Sequence, residues 1–78
     1  MKREDVDSSM IVSVGYDAEE RILEVEFDGG KIYQYFDVPQ EEYAGLMDAE
    51  SKGQYMLGNI IDMYTYSLAR QRLRSRTR

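Results

Sequence analysis

The chain has 78 residues and a formal net charge of −5, with 10 Lys and Arg against 15 Asp and Glu and no Cys, His or Trp. That length holds one small domain and no second core, and the missing Cys and His exclude a disulfide framework, a Cys/His zinc site, a thiol nucleophile and a histidine base. No apolar run approaches the roughly 18 residues of a membrane span and no secretory leader is read, so the expected compartment is the cytoplasm.

Residues 1–8 are polar, with Lys2, Arg3, Glu4, Asp5 and Asp7 and no apolar period, and are expected as a flexible lead-in. Three strand patterns follow. Over 10–16, Met10, Val12, Val14 and Tyr16 alternate with Ile11, Ser13 and Gly15. Over 22–27, Leu23, Val25 and Phe27 alternate with Glu24 and Glu26, and the third pattern covers 31–36. Polar links between them predict an antiparallel meander. A two-residue turn at Gly29-Gly30 sends Tyr33 and Tyr35 to the face of the glutamates. A three-residue loop, Asp28-Gly29-Gly30, pairs Val25 with Tyr33 and Leu23 with Tyr35 instead, with Gly30 in the left-handed position. The second register is favoured, because both tyrosines then join the apolar face. The opposite face is mixed, with Ile22, Ile32 and Phe36 among Glu24, Glu26 and Gln34, and is expected to be half covered by a helix or another chain.

Val38-Pro39 ends the third strand and opens a helix whose first turn carries Glu41 and Glu42. Tyr43, Leu46 and Met47 form its buried stripe. Ser51-Lys52-Gly53-Gln54 matches the S-x-x-Q capping box, and Met56, Leu57, Ile60, Ile61 and Tyr64 share one side of a second helix, a spacing that Leu68 continues. The expected fold is α+β: a three-stranded antiparallel meander followed by two helices, β-β-β-α-α, over residues 9–69. Residues 1–69 hold 5 basic side chains and all 15 acidic ones, a net −10, whereas 70–78 hold Arg70, Arg72, Arg74, Arg76 and Arg78 and no acid. A wholly basic end on an acidic body is the strongest electrostatic signal in the chain.

From Met10 to Leu68 the sequence resembles the KTSC domain, a short module named for its place at the C-terminus of some lysyl-tRNA synthetases. The resemblance is carried by Val14-Gly15-Tyr16-Asp17, Leu23-x-Val25-x-Phe27, Gly30, the central Tyr33-Gln34-Tyr35, Val38-Pro39, Tyr43, Ala49-x-Ser51-x-Gly53-x-Tyr55, Ile60 and Tyr64-x-Tyr66. It implies no catalytic role, and it implies nucleic-acid binding, RNA in particular, through the synthetase context. The family's Ile-Arg pair in the second helix is missing here, where Met56, Leu57 and Ile61 stand, which removes a phosphate contact from the body of the domain. The family often has Tyr-Pro-Tyr at Tyr64-Thr65-Tyr66. Thr65 does not break a helix as Pro would, so the second helix is expected to extend through Leu68 toward Leu73.

Arginine forks fit phosphates, and a basic segment can order on RNA or DNA. Arg70, Arg72, Arg74, Arg76 and Arg78 are therefore candidate phosphate contacts, with Tyr55 and Tyr66 as candidate stacking rings. The plain alternative is a solvated tail that balances the acidic body. Tyr33 and Tyr35 are expected to pack beneath the helices, and Ser51 and Gly53 to shape a helix cap. Ile11, Ile22, Ile32 and Phe36 on the outer sheet face, or Leu68 and Leu73 on a long helix, would serve a protein interface. Asp17, Glu19 and Glu20 lack the spacing of a calcium loop and read as a hydrated turn. The reading is a small non-catalytic module without metal or cofactor. It binds RNA or single-stranded nucleic acid through its arginine end. The alternative is a protein-protein or self-associating module. No membrane partner is expected.

Overall fold

Period-two patterns and glycine turns build most of one antiparallel sheet, and a helical excursion closes it. The computed structural model describes residues 3–6 and 8–71. Its strands are β1 (Arg3–Asp5), β2 (Ile11–Asp17), β3 (Ile22–Phe27), β4 (Lys31–Tyr35) and β5 (Tyr66–Gln71), arranged in chain order. Between β4 and β5 lie α1 (Gln40–Asp48) and α2 (Lys52–Tyr55), which runs on as a π-helical stretch over Met56–Ile60.

The predicted β3–β4 register is the observed one: Val25 pairs with Tyr33, Leu23 with Tyr35, Glu24 with Gln34 and Glu26 with Ile32. Gly29 and Gly30 both take positive φ, 102° and 93°, which only glycine enters without strain. In the β2–β3 turn, Asp17 Oδ1 accepts from the amides of Glu19 and Glu20 at 3.0 and 3.2 Å. This carboxylate therefore shapes its own turn.

The sheet has five strands, not the expected three, and the second helix does not extend to Leu68. Arg3–Asp5, within the expected lead-in, pairs with β2, Arg3 opposite Gly15 and Asp5 opposite Ser13. Residues 66–71 pair with β4, Tyr66 opposite Tyr35 and Leu68 opposite Tyr33, and the Thr65 carbonyl accepts from the Phe36 amide at 2.9 Å. The reason is non-local. Without β5, the far edge of β4 would present unpaired amides and carbonyls, and Tyr66, Leu68 and their neighbours suit a strand as well as a helix. Arg70 thereby lies in a strand opposite Ile32.

The core packs Val14, Leu23, Val25 and Tyr35 of the sheet against Val38, Leu46 of α1, and Met56 and Ile60 of the π-helical stretch. Ile11 joins them. A bulge between Ile11 and Ser13 makes Ile11 pair with Phe27 and Ser13 with Glu26, so Val12 is the extra residue and the alternation changes phase. Ile11 thus turns into the core, 1% exposed.

The outer face is held by a polar network that simple alternation does not reveal. Arg3 pairs with Glu24, lies 3.7 Å from Glu26 and donates from Nε to Ser13 Oγ at 2.9 Å. Ser13 donates to Glu26 at 3.1 Å, and Gln34 to Glu24 at 2.9 Å. Burial works to raise the Glu24 carboxyl, but the hydrogen bonds from Gln34 and Arg3 and the Arg3 charge outweigh it and hold Glu24 below the ordinary carboxylate value.

Candidate nucleic-acid interface

The pairing of β3, β4 and β5 gathers aromatic residues on the helix side of the sheet. Tyr33 and Tyr35, two apart on β4, share a face, and their partners Leu68 and Tyr66 on β5 extend it. The helices cover only part of this face. Tyr35 is buried at 3% exposure, whereas Tyr66 and Leu68 stay 55% and 49% exposed.

The uncovered part is a shallow groove of about 260 Å³, lined by Phe27, Tyr33, Tyr35, Tyr66 and Ile61. Tyr33 stands edge-on to Phe27 at 5.8 Å and to Tyr66 at 5.6 Å, with interplanar angles of 71° and 76°. Tyr35 and Tyr66 lie 5.7 Å apart at 37°. These separations are favourable for aromatic pairs, so the groove wall is preformed. Burial, followed by the neighbouring phenols of Tyr33 and Tyr66, pushes the Tyr35 hydroxyl up to about 12, so it is a proton donor at every physiological pH.

The hydroxyls divide into two groups. Tyr16 donates to the Val38 carbonyl at 2.6 Å, and Tyr55 and Tyr64 donate to the two oxygens of Glu42 at 2.7 and 3.0 Å. Among the described residues, the hydroxyls of Tyr33, Tyr35, Tyr43 and Tyr66 have no hydrogen-bond partner, and three of these, all but Tyr43, line the groove. The Glu42 hydrogen bond, ahead of burial, raises the Tyr55 phenol, while burial and then Glu42 raise that of Tyr64.

The two candidate stacking rings therefore separate. Tyr66 borders the open groove, whereas Tyr55 is half-buried and tied to Glu42. Tyr33 lines the groove and Tyr35 is its buried floor. Ser51 caps α2, its hydroxyl accepting from the Gln54 amide at 3.3 Å. At Gly53 a Cβ would come within 3.1 Å of Met10 Sδ, so this glycine admits a close contact. The expected outer apolar patch does not assemble. Ile11 is in the core, Ile32 is 3% exposed on the outer face, and Ile22 and Phe36 are half-buried. Leu68 lies beside the groove and not on a helix. Arg72, Leu73, Arg74, Arg76 and Arg78 lie outside the described residues.

Phe27 and Ile61 were missed as groove residues. The favoured register puts Phe27 on the face of Tyr33, but the place of Ile61 depends on where the helix ends. Among the described residues no three His, Cys, Asp or Glu side chains are grouped to hold a metal ion, and no helix is long and apolar enough to cross a membrane.

The model of the KTSC domain family matches residues 7–64. An uncharacterised protein of Stutzerimonas stutzeri is 47% identical over 55 residues, covering 70% of this chain and 78% of that protein. A lysine–tRNA ligase of Nostoc punctiforme is 39% identical over 49 residues, covering 63% of this chain but only 9% of the ligase. Among solved structures, a KTSC domain protein of Yersinia pestis superposes with a TM-score of 0.84 at 37% identity, covering 86% of this chain and 94% of that one.

Proposed function

The chain belongs to the KTSC domain family, and from that premise we propose that it is a non-catalytic module binding single-stranded RNA or DNA. The observation that carries this reading is the open aromatic groove on β4 and β5, because β5 ends at Gln71 and the remaining arginines follow it in the sequence. Aromatic faces hold unstacked bases with little regard to sequence, and arginines neutralise the phosphates that follow them. The likeness to a segment of lysine–tRNA ligases, enzymes named for a tRNA substrate, supports RNA as one such strand. The net −10 of residues 1–69 repels a polyanion, which confines contact to the groove and the basic end.

Fluorescence anisotropy of labelled single-stranded RNA and DNA, at low and high salt, tests this. Binding is expected to weaken with salt at a slope of about −3 to −4 if all five arginines meet phosphates. Removal of residues 72–78 should abolish most of that slope, and Tyr66→Ala should lower affinity several-fold without changing it. Absence of salt-dependent binding by the intact chain would reject the reading.

A second reading is favoured by one observation. β5 is the last strand of the sheet, and its Tyr66 and Leu68 are about half exposed. A second copy pairing along β5 would satisfy that edge. Light scattering across the micromolar range distinguishes it, a strictly monomeric mass being the outcome that removes it.

A further inference from the structure

Of the groove hydroxyls without a partner among the described residues, that of Tyr35 belongs to the buried ring. Its residue is 97% removed from solvent, at 3% exposure, yet no described residue accepts from it. A buried donor left unpaired is destabilising, and with no acceptor among the described residues the Tyr35 hydroxyl is open to water in the free protein, or to an acceptor on whatever fills the groove.

We propose that the groove is a pocket for one unstacked heteroaromatic ring carrying a hydrogen-bond acceptor, a nucleobase. Tyr35 donates its O–H to that acceptor, and Tyr66 and Phe27 contact the ring. This assignment rests on the nucleic-acid reading for the identity of the occupant, and adds to it how the base is held.

Three observations select this class of ligand. At about 260 Å³ the groove lies just below the roughly 300–1,000 Å³ of drug-sized sites, room for one ring system and not for an extended molecule. An aliphatic occupant would suit the Ile61 and Phe27 surfaces, but it would displace water from Tyr35 and return nothing to the hydroxyl. A cation would be attracted by the tyrosine faces, but it too offers Tyr35 no acceptor. The five arginines of residues 70–78, which begin within β5 in sequence, favour a ring that carries a phosphate. The high Tyr35 value keeps the hydroxyl a donor, which matches a carbonyl or ring-nitrogen acceptor on a base edge.

The test separates ring from phosphate. The intact isotope-labelled chain is titrated by NMR with uncharged adenosine, cytidine and uridine, and with ribose 5-phosphate as a phosphate without a base. Saturable shifts at Tyr33, Tyr35 and Tyr66 are expected with at least one nucleoside and not with ribose 5-phosphate. Tyr35→Phe, which keeps the ring and loses only the O–H, should weaken nucleoside binding about five- to tenfold, the equivalent of one net hydrogen bond. Tyr66→Ala, at a half-exposed position, should weaken it independently. Nucleoside shifts confined to other residues, or equal affinity in wild type and Tyr35→Phe, would overturn the pocket. Salt-dependent strand binding without nucleoside shifts would also overturn it, while leaving the nucleic-acid reading intact. Nucleoside shifts without strand binding would support the pocket, as a site for free nucleosides, and reject strand binding.

Discussion

At Glu42 two phenols converge on one carboxylate, and the space for this is made by a glycine. Tyr55 and Tyr64 donate to separate oxygens of Glu42, tying α1 to α2 and to the segment before β5. A Cβ at Gly45 would overlap the Tyr55 hydroxyl, with Cζ 2.9 Å away. Gly45→Ala is therefore expected to destabilise by about 1–3 kcal/mol in urea unfolding, as overpacking does, and to do less harm in a Tyr55→Ala background. Arg3 plays the corresponding part on the outer face. Arg3→Ala leaves Glu24 and Glu26 on one strand face without their shared cation, and is expected to cost about 2–3 kcal/mol. Glu24 is held below its ordinary 4.5, so its contribution is complete above that pH and disappears as pH falls through the lowered value. Acid unfolding should accordingly be shallower in Arg3→Ala. Tyr35 behaves in the opposite sense. Its folded value of about 12 exceeds the ordinary 10.0, so its contribution is complete below pH 10 and is lost between pH 10 and 12. Tyr35→Phe should flatten that alkaline limb while leaving stability at neutral pH unchanged or slightly raised, because it removes a buried hydroxyl with no acceptor among the described residues.

At the scale of the elements, β5 shows where local patterns stop being informative. Leu57, Ile60, Ile61, Tyr64 and Leu68 fit a helical spacing, but Tyr66 and Leu68 also alternate, and a strand needs no more than that. The choice is made by β4, whose Phe36-side end bonds the Thr65 carbonyl. Thr65→Pro distinguishes the two states directly. In a helix interior it would cost about 3 kcal/mol or more, but at the entry to β5, where the carbonyl is the bonded group, a loss below about 1 kcal/mol is expected in thermal or urea unfolding. β1 was illegible for a different reason. Arg3-Glu4-Asp5 carries no apolar alternation, because an edge strand is recognised by its backbone pairing and by the Arg3 network, not by a buried stripe. By contrast β2, β3, β4 and the start of α1 were legible, since glycines, Pro39 and alternating apolar residues mark them locally. The bulge at Val12 is the exception within that set. It reverses the face of Ile11 and so dissolves the expected outer patch.

For the whole molecule, the division of charge matters more than its sum. A polyanion meets an acidic body and a basic end, so affinity should be modest and should fall steeply with ionic strength. Removing residues 72–78 leaves the described sheet and core complete. That truncation is expected to shift the melting temperature by no more than a few degrees while abolishing most salt-dependent binding, as calorimetry beside anisotropy would show. What sequence alone determined was whatever depends on neighbours in the chain: the β3–β4 register, the glycine hairpin, the Ser51 cap, the family and the charged end. The tertiary structure alone decided which residues beyond those neighbours complete the sheet. It made Tyr66–Gln71 a strand, turned Ile11 inward, set Arg3 between two glutamates and left Tyr35 buried beneath an open groove, its hydroxyl without a partner among the described residues. Each of these rests on hydrogen bonds or burial between residues far apart in sequence, which no local period encodes.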